Sequence, residues 1–174
     1  MEERIMKFIP YTNDKSSKLL EMMKEHIDLT PELETTENKV ANYDFVCEIC
    51  SKKQSGELSY LLTSDDEERM FGYMSVDKRY DSRQKIYMCI TALFIKQNNE
   101  VADNARAMLK HFTCLLCDTK GICVNIHPSM ISAIHFWMEN GFVQAPEMSN
   151  YVNAEDQRLI AYWKTLRYNE TREN

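Results

Sequence analysis

A chain of 174 residues, 44% hydrophobic and 28% charged, has material for one sizeable core and too little for two ordinary domains. A single domain over residues 1–168 is expected, with 169–174 a polar tail. The formal charge of −6 gives no electrostatic reason to bind nucleic acid and suits a cationic ligand better. No window approaches the roughly 20 apolar residues of a membrane span, and the leading MEERIMKF lacks the apolar stretch of a signal peptide. A cytoplasmic protein with no membrane partner is therefore expected.

In chain order, Met6 to Tyr11 alternates weakly and stops at Pro10, which reads as a short first strand. Asn13-Asp14 can cap a helix over Lys15 to Ile27, with Leu19, Leu20, Met22, Met23 and Ile27 as its buried stripe. Thr30-Pro31 opens a second helical region, and from Glu37 to Lys53 the residues Val40, Tyr43, Cys47 and Cys50 line one side. The period then changes to alternation. Glu57 to Ser64, Arg69 to Lys78 and Lys85 to Lys96 read as strands, with turn chemistry at Asp65-Asp66 and at Tyr80-Asp81-Ser82. An antiparallel meander is the simplest arrangement. Its third strand, IYMCITALFI, is apolar nearly throughout, as a central strand buried on both faces should be, and is long enough to hold a bulge.

Beyond Lys96, Ala105, Met108, Leu109, Phe112, Leu115 and Leu116 recur at helical spacing, predicting a helix near Ala102 to Asp118. Gly121 then lets the chain turn into a strand in which Ile122, Val124 and Ile126 alternate. Strand, helix and strand make a βαβ unit around residues 85–126, whose right-handed crossover forces the two strands parallel. Pro128 ends the strand and Ser129 stands at an N-cap position. Ile131, Ile134, Trp137 and Met138 follow at helical spacing until Asn140-Gly141 supplies a left-handed stop. Phe142 to Met148 and Arg158 to Leu166 read as a closing pair of strands, which would offer an edge for a homodimer. The fold class predicted is α+β (α/β), a mixed central sheet flanked by helices.

Two C-x-x-C pairs, Cys47 with Cys50 and Cys114 with Cys117, have the spacing of a zinc site. Both fall inside helical patterns among apolar neighbours and lack the Gly-rich knuckle of a zinc ribbon. Small buried hydrophobes are expected there, and no metal. Cys89 and Cys123 lie in strand patterns and are expected in the core, reduced.

The stretch Ala133 to Phe142, AIHFWMENGF, resembles the second signature of the GNAT acetyltransferases, A-I-x-F-Y-x-x-x-G-F. Ala133, Ile134, Phe136, Gly141 and Phe142 match in register, and Trp137 stands where the family usually has Tyr. The order of elements also resembles the GNAT fold from end to end, and IAYWKTL at Ile160 to Leu166 is similar to its final strand. The resemblance implies an N-acyltransferase that moves an acetyl group from acetyl-CoA to an amine of a small molecule or protein.

The family's first signature, an R/Q-x-x-G-x-G/A loop, departs from its pattern here. Aligned on the helix stripe, Glu100 to Ala105 fill it, so Asp103 replaces the first glycine, with the bulky Val101 two residues before it. In a second register, Gln97 to Ala102, Glu100 takes the first glycine position. Either way an acid stands where a diphosphate would be held by backbone N–H groups and the helix dipole. The resemblance implies cofactor contacts from the backbone of Leu93, Phe94 and Ile95. Further contacts would come from Glu100, Val101, Ala102, Asp103, Asn104, Ala105 and Arg106, and from Ser129, Phe136 and Trp137. Indole N–H cannot give up a proton at neutral pH, so Trp137 could only steady a leaving thiolate, and Tyr151 or Tyr162 would have to replace the usual acid. Asp77, Tyr87 and His127 are the candidate bases, His127 for its unperturbed pKa near 6.5, although a loop histidine bonded to Pro128-Ser129 is its plainer explanation. The altered loop and Trp137 together support an alternative, a non-catalytic GNAT-like binding or regulatory module. Asp28 to Glu37 and Gln144 to Gln157 would wall the acceptor side.

Overall fold

The computed structural model describes residues 6–29, 58–116, 119–145 and 159–166. The expected helix at Glu37 to Lys53, Cys47, Cys50, Cys117, Tyr151 and the polar tail lie outside these residues. The elements are β1 (Met6–Pro10), a 3-10 turn (Asn13–Lys15), α1 (Ser16–Leu29), β2 (Leu58–Ser64), β3 (Met70–Tyr80) and β4 (Ile86–Ile95). They continue with α2 (Val101–Leu115), β5 (Gly121–Ile126), α3 (Ile131–Glu139), β6 (Val143–Gln144) and β7 (Ile160–Thr165).

The strands form one mixed sheet in the order β1-β2-β3-β4-β5-β7-β6. β1 runs antiparallel to β2, with Phe8 opposite Leu62. β4 and β5 are parallel, with Met88, Cys89 and Ile90 opposite Ile122, Cys123 and Val124, as the crossover through α2 requires. β7 lies antiparallel to both β5 and β6. Among the described residues no helix is long and apolar enough to cross a membrane.

The chain packs as two compact units. The first is drawn from Met1–Ser75 and Ala92–Thr113. There α1 buries Leu19, Met22, Met23 and Ile27 against Leu61, Tyr73, Ala92 and Phe94, while Leu20 is only partly covered. Full burial of such a side chain stabilises by about 1.5–3 kcal/mol. On the other face Tyr60 meets Phe112 of α2 at 6.2 Å, and Phe8 stacks on Tyr60 and on His111. A Cβ on Gly72 would come within 2.9 Å of Ile95 Cδ1 and 3.0 Å of Met108 Sδ, so its absence lets α2 settle close to the sheet.

The second unit is drawn from Val76–Thr91 and Cys114–Asn174. Cys89, Cys123 and Ala161 are buried beneath Tyr87 and Trp163. Gly121 is a strand residue rather than a turn. The Trp163 indole lies over it where a Cβ would stand, so glycine is needed for packing and not for a bend. Between β3 and β4 the Asp81 carboxylate accepts the N–H groups of Arg83 and Lys85 and an ion pair from Lys120 at 2.9 Å. Those bonds, Lys120 first, hold its pKa down to about 2.

Three expectations are overturned here. α2 ends at Leu115, three residues before Asp118, and Leu115 is 53% exposed, so the buried stripe stops at Phe112. Cys114 is exposed rather than core. On α3 only Trp137 is buried, whereas Ile131 and Met138 lie open on its outer side.

Candidate functional site

Among the described residues, those expected to hold a cofactor lie on two stretches of chain, one in each unit. The first stretch is the end of β4 and the start of α2. The Asp81 N–H bonds the Lys85 carbonyl, and the Lys96 N–H bonds the Phe71 carbonyl at 2.9 Å. From Lys85 to Lys96 is eleven steps along the chain and from Asp81 back to Phe71 is ten, so β4 carries one extra residue, a bulge.

Because Lys96 points its N–H at β3, the N–H and carbonyl of Ile95 point the other way. They meet side chains. The Ile95 N–H donates to His26 Nδ1 at 3.3 Å, and Gln97 Nε2 donates to the Ile95 carbonyl at 3.2 Å. Gln97 Nε2 also lies 3.0 Å from His26 Nδ1, which stands 3.0 Å from the Ile95 carbonyl. Burial pushes the His26 pKa below its usual value. The ring is therefore neutral at pH 7, and its Nδ1 serves either backbone group of Ile95, accepting from the N–H when the ring proton is on Nε2 and donating to the carbonyl when it is on Nδ1. Phe94 packs edge-on against it at 5.3 Å. His26 was not among the site residues expected from sequence, and Gln97 entered only as the first position of the second loop register. The signal was present, since His26 falls three residues after Met23 and four after Met22, on the buried stripe of α1.

The loop that follows is closed by Asn98. Its side-chain oxygen accepts the Glu100 N–H at 2.9 Å and its carbonyl accepts the Val101 N–H at 3.3 Å. The Asn104 N–H donates to the Glu100 carbonyl, which makes Glu100 the N-cap residue of α2. The amides of Ala102 and Asp103 have no acceptor among the described residues. Glu100, Ala102, Asp103 and Arg106 are exposed, Val101 is half-buried, and Asn104 and Ala105 turn inward. Asp103 pairs with Arg106 at 3.1 Å. Of the two loop registers, Gln97 to Ala102 is the one that lies on the loop, because residues from Val101 onward are already helix.

The second stretch follows β5. Ser129 is not the N-cap of α3. That position is Met130, and no side chain caps it. The Ser129 hydroxyl is spent on His127 Nδ1 at 2.6 Å, and the Ser129 N–H donates to the same nitrogen at 3.2 Å. A backbone N–H can only donate, so Nδ1 is the acceptor and the His127 proton is on Nε2. Trp137 is 4% exposed and packs edge-on between Phe136 at 5.2 Å and Phe142 at 4.8 Å. Gly141 at φ 84 closes the helix in the left-handed conformation that the Asn-Gly pair predicts. Asp77 stands half-buried on β3, 3.4 Å from Arg79.

No protein-family model matches the chain, and no curated protein matches it in sequence. Solved structures do match in shape. An acetyltransferase of Thermus thermophilus superposes with a TM-score of 0.65 at 15% identity, over 95% of this chain and 100% of that one. A GNAT-family acetyltransferase of Staphylococcus aureus does so with 0.65 at 15%, over 94% and 100%. The fold is that of the GNAT acetyltransferases. The Escherichia coli ribosomal-protein-S18-alanine N-acetyltransferase shares the GNAT fold with a TM-score of 0.60 at 11% identity, over 98% of this chain and 99% of that chain. Such likeness extends to architecture. What this GNAT-fold chain does rests on its own residues.

Proposed function

We propose that this chain is an N-acyltransferase that carries an acetyl group from acetyl-CoA to an amine. The observation that supports it is the pair of amides, Ala102 and Asp103, unclaimed among the described residues, on the first turn of a helix that opens just after β4 in a GNAT fold. Backbone N–H groups and the positive end of the helix dipole bind phosphate whatever the side chains are. Loss of the first glycine therefore narrows the approach without removing the donors. Arg106, paired with Asp103, offsets one of the two acids near them. When bound, acetyl-CoA supplies a thioester carbonyl open to attack by a neutral amine, with the C–S bond breaking as the C–N bond forms.

The chain's own residues then have positioning and proton work to do. The edge of β4 at Leu93 to Ile95 would hold the extended arm of the donor. Asp77, beside Arg79, is the carboxylate proposed to take the proton of the attacking ammonium, and Tyr151 the group proposed to give one to the thiolate. His127 presents a donor at Nε2. To act as a base it must take a proton at Nδ1, which releases the Ser129 N–H and turns the Ser129 hydroxyl from donor to acceptor.

The second reading, a GNAT-like module without catalysis, is favoured by Trp137. Its indole is enclosed by two aromatic rings where the family's acid would stand, and its N–H does not ionise at neutral pH. Calorimetric titration with acetyl-CoA, followed by measurement of free thiol released in the presence of a panel of amines, tests both. Binding with amine-dependent thiol release is expected. No binding by the unmodified protein would overturn the enzyme reading and leave the module.

A further inference from the structure

The outward edge of β4 ends in a way that the sheet does not require. A strand edge ordinarily leaves N–H and carbonyl groups for a strand or a strand-like ligand. At Ile95 both groups are already satisfied. The N–H goes to His26 Nδ1 at 3.3 Å, and the carbonyl accepts from Gln97 Nε2 at 3.2 Å. The two side chains are tied to each other at 3.0 Å. His26 arrives from α1, 69 residues away in sequence, and its ring is fixed by the edge of Phe94. Leu93, two residues earlier on the same edge, has no such side chain on its backbone groups among the described residues.

We propose that His26 and Gln97 plug the donor track at Ile95, so that an extended, amide-bearing ligand arm can pair with Leu93 but gains Ile95 only by displacing the imidazole. This rests on the reading of the β4 edge as the place of the donor's pantetheine arm. The exchange balances in hydrogen bonds. The Ile95 N–H passes from Nδ1 to a ligand carbonyl, the Ile95 carbonyl passes from Gln97 to a ligand N–H, and the two side chains turn to solvent. Since nothing is gained in number, the ligand's advantage at Ile95 is small, and the plug sets a weak ground-state affinity. A ligand with the phosphate end of coenzyme A but without the arm makes no demand on Ile95 and should not sense the plug.

The experiment compares coenzyme A with adenosine 3′,5′-bisphosphate, which lacks the arm, against the unmodified protein, His26→Ala and Gln97→Ala. In His26→Ala, coenzyme A should bind about tenfold more tightly, the worth of one hydrogen bond no longer given up. The bisphosphate should bind equally to all three proteins. Gln97→Ala, at a half-buried loop position, should shift coenzyme A in the same direction by less, and it serves if His26→Ala does not fold. In the unmodified protein the imidazole 15N resonances of His26 should move on addition of coenzyme A and stay in place with the bisphosphate.

Equal or weaker binding of coenzyme A by folded variants, with the bisphosphate still bound, would overturn the plug and leave the donor-site reading standing. Failure of every protein to bind either ligand would overturn both.

Discussion

His26 shows how one residue sets a condition on the whole chain. Its folded pKa is pushed below 6.5 by burial, against the raising influence of its bond to the Ile95 carbonyl. As pH falls through 6.5 the unfolded chain takes up a proton that the folded chain still refuses, so stability is complete above that pH and is lost below it. The slope is at most about 1.4 kcal/mol per pH unit, until the folded imidazole titrates as well. Asp81 acts in a lower window. Its folded pKa of about 2 means that the contribution of its turn is present above the ordinary carboxylate range and goes as pH falls toward 2. Urea denaturation at a series of pH values should therefore show a decline between pH 6.5 and 5 that His26→Gln reduces. A decline unchanged in that variant would assign the acid sensitivity to another group. His26 was missed in the sequence because its neighbours on the stripe, Met22, Met23 and Ile27, are themselves sufficient for a core, so a histidine among them carries no pattern of its own.

At the scale of elements, periodicity located the strands and helices of the described residues and misjudged ends. The strands and the βαβ unit were legible because alternation and helical spacing report directly on burial. Terminal turns were not, because their burial depends on what lies opposite. Ala105, Met108, Leu109 and Phe112 are covered, and Leu115, at the next apolar position, is open. Phe112→Ala should accordingly cost about 3–5 kcal/mol, while Leu115→Ala should stay within about 0.5 kcal/mol of neutral. Denaturant midpoints of the two variants check this, and equal losses would mean that Leu115 is covered in solution. The same reasoning explains Ser129. An N-cap preference is a statement about one side chain and one amide, and here His127 offers that hydroxyl a nearer acceptor, so the helix starts at Ile131 with no side-chain cap.

For the whole molecule, the order of elements carried the fold and could not carry the site. Seven strands and their crossover follow from patterns that each element needs in order to bury a face, and they lead to the GNAT fold even where identity to solved structures is 11–15%. The phosphate-holding turn proposed at Ala102 and Asp103 leaves no comparable trace, because these residues offer the same backbone N–H groups as any other residue. What the sequence does retain is the charge beside them, and that charge is testable. Glu100 is the N-cap residue of α2 and is exposed. Glycine is tolerated at an N-cap at a cost of only a few tenths of a kcal/mol, so Glu100→Gly should leave the melting temperature nearly unchanged while removing an acid next to the open amides. At about 4 Å, one such charge opposes a phosphate charge by roughly 1 kcal/mol in water and more where water is excluded. Exposure places Glu100 near the lower figure, a gain of about fivefold in affinity for adenosine 3′,5′-bisphosphate. The gain should shrink as salt is raised from about 0.05 M to about 0.5 M, because the Debye length then falls toward the charge separation. A gain that ignores salt would be steric, the return of a glycine beneath the phosphate. An affinity unchanged at every salt concentration would mean that the first turn of α2 does not hold phosphate.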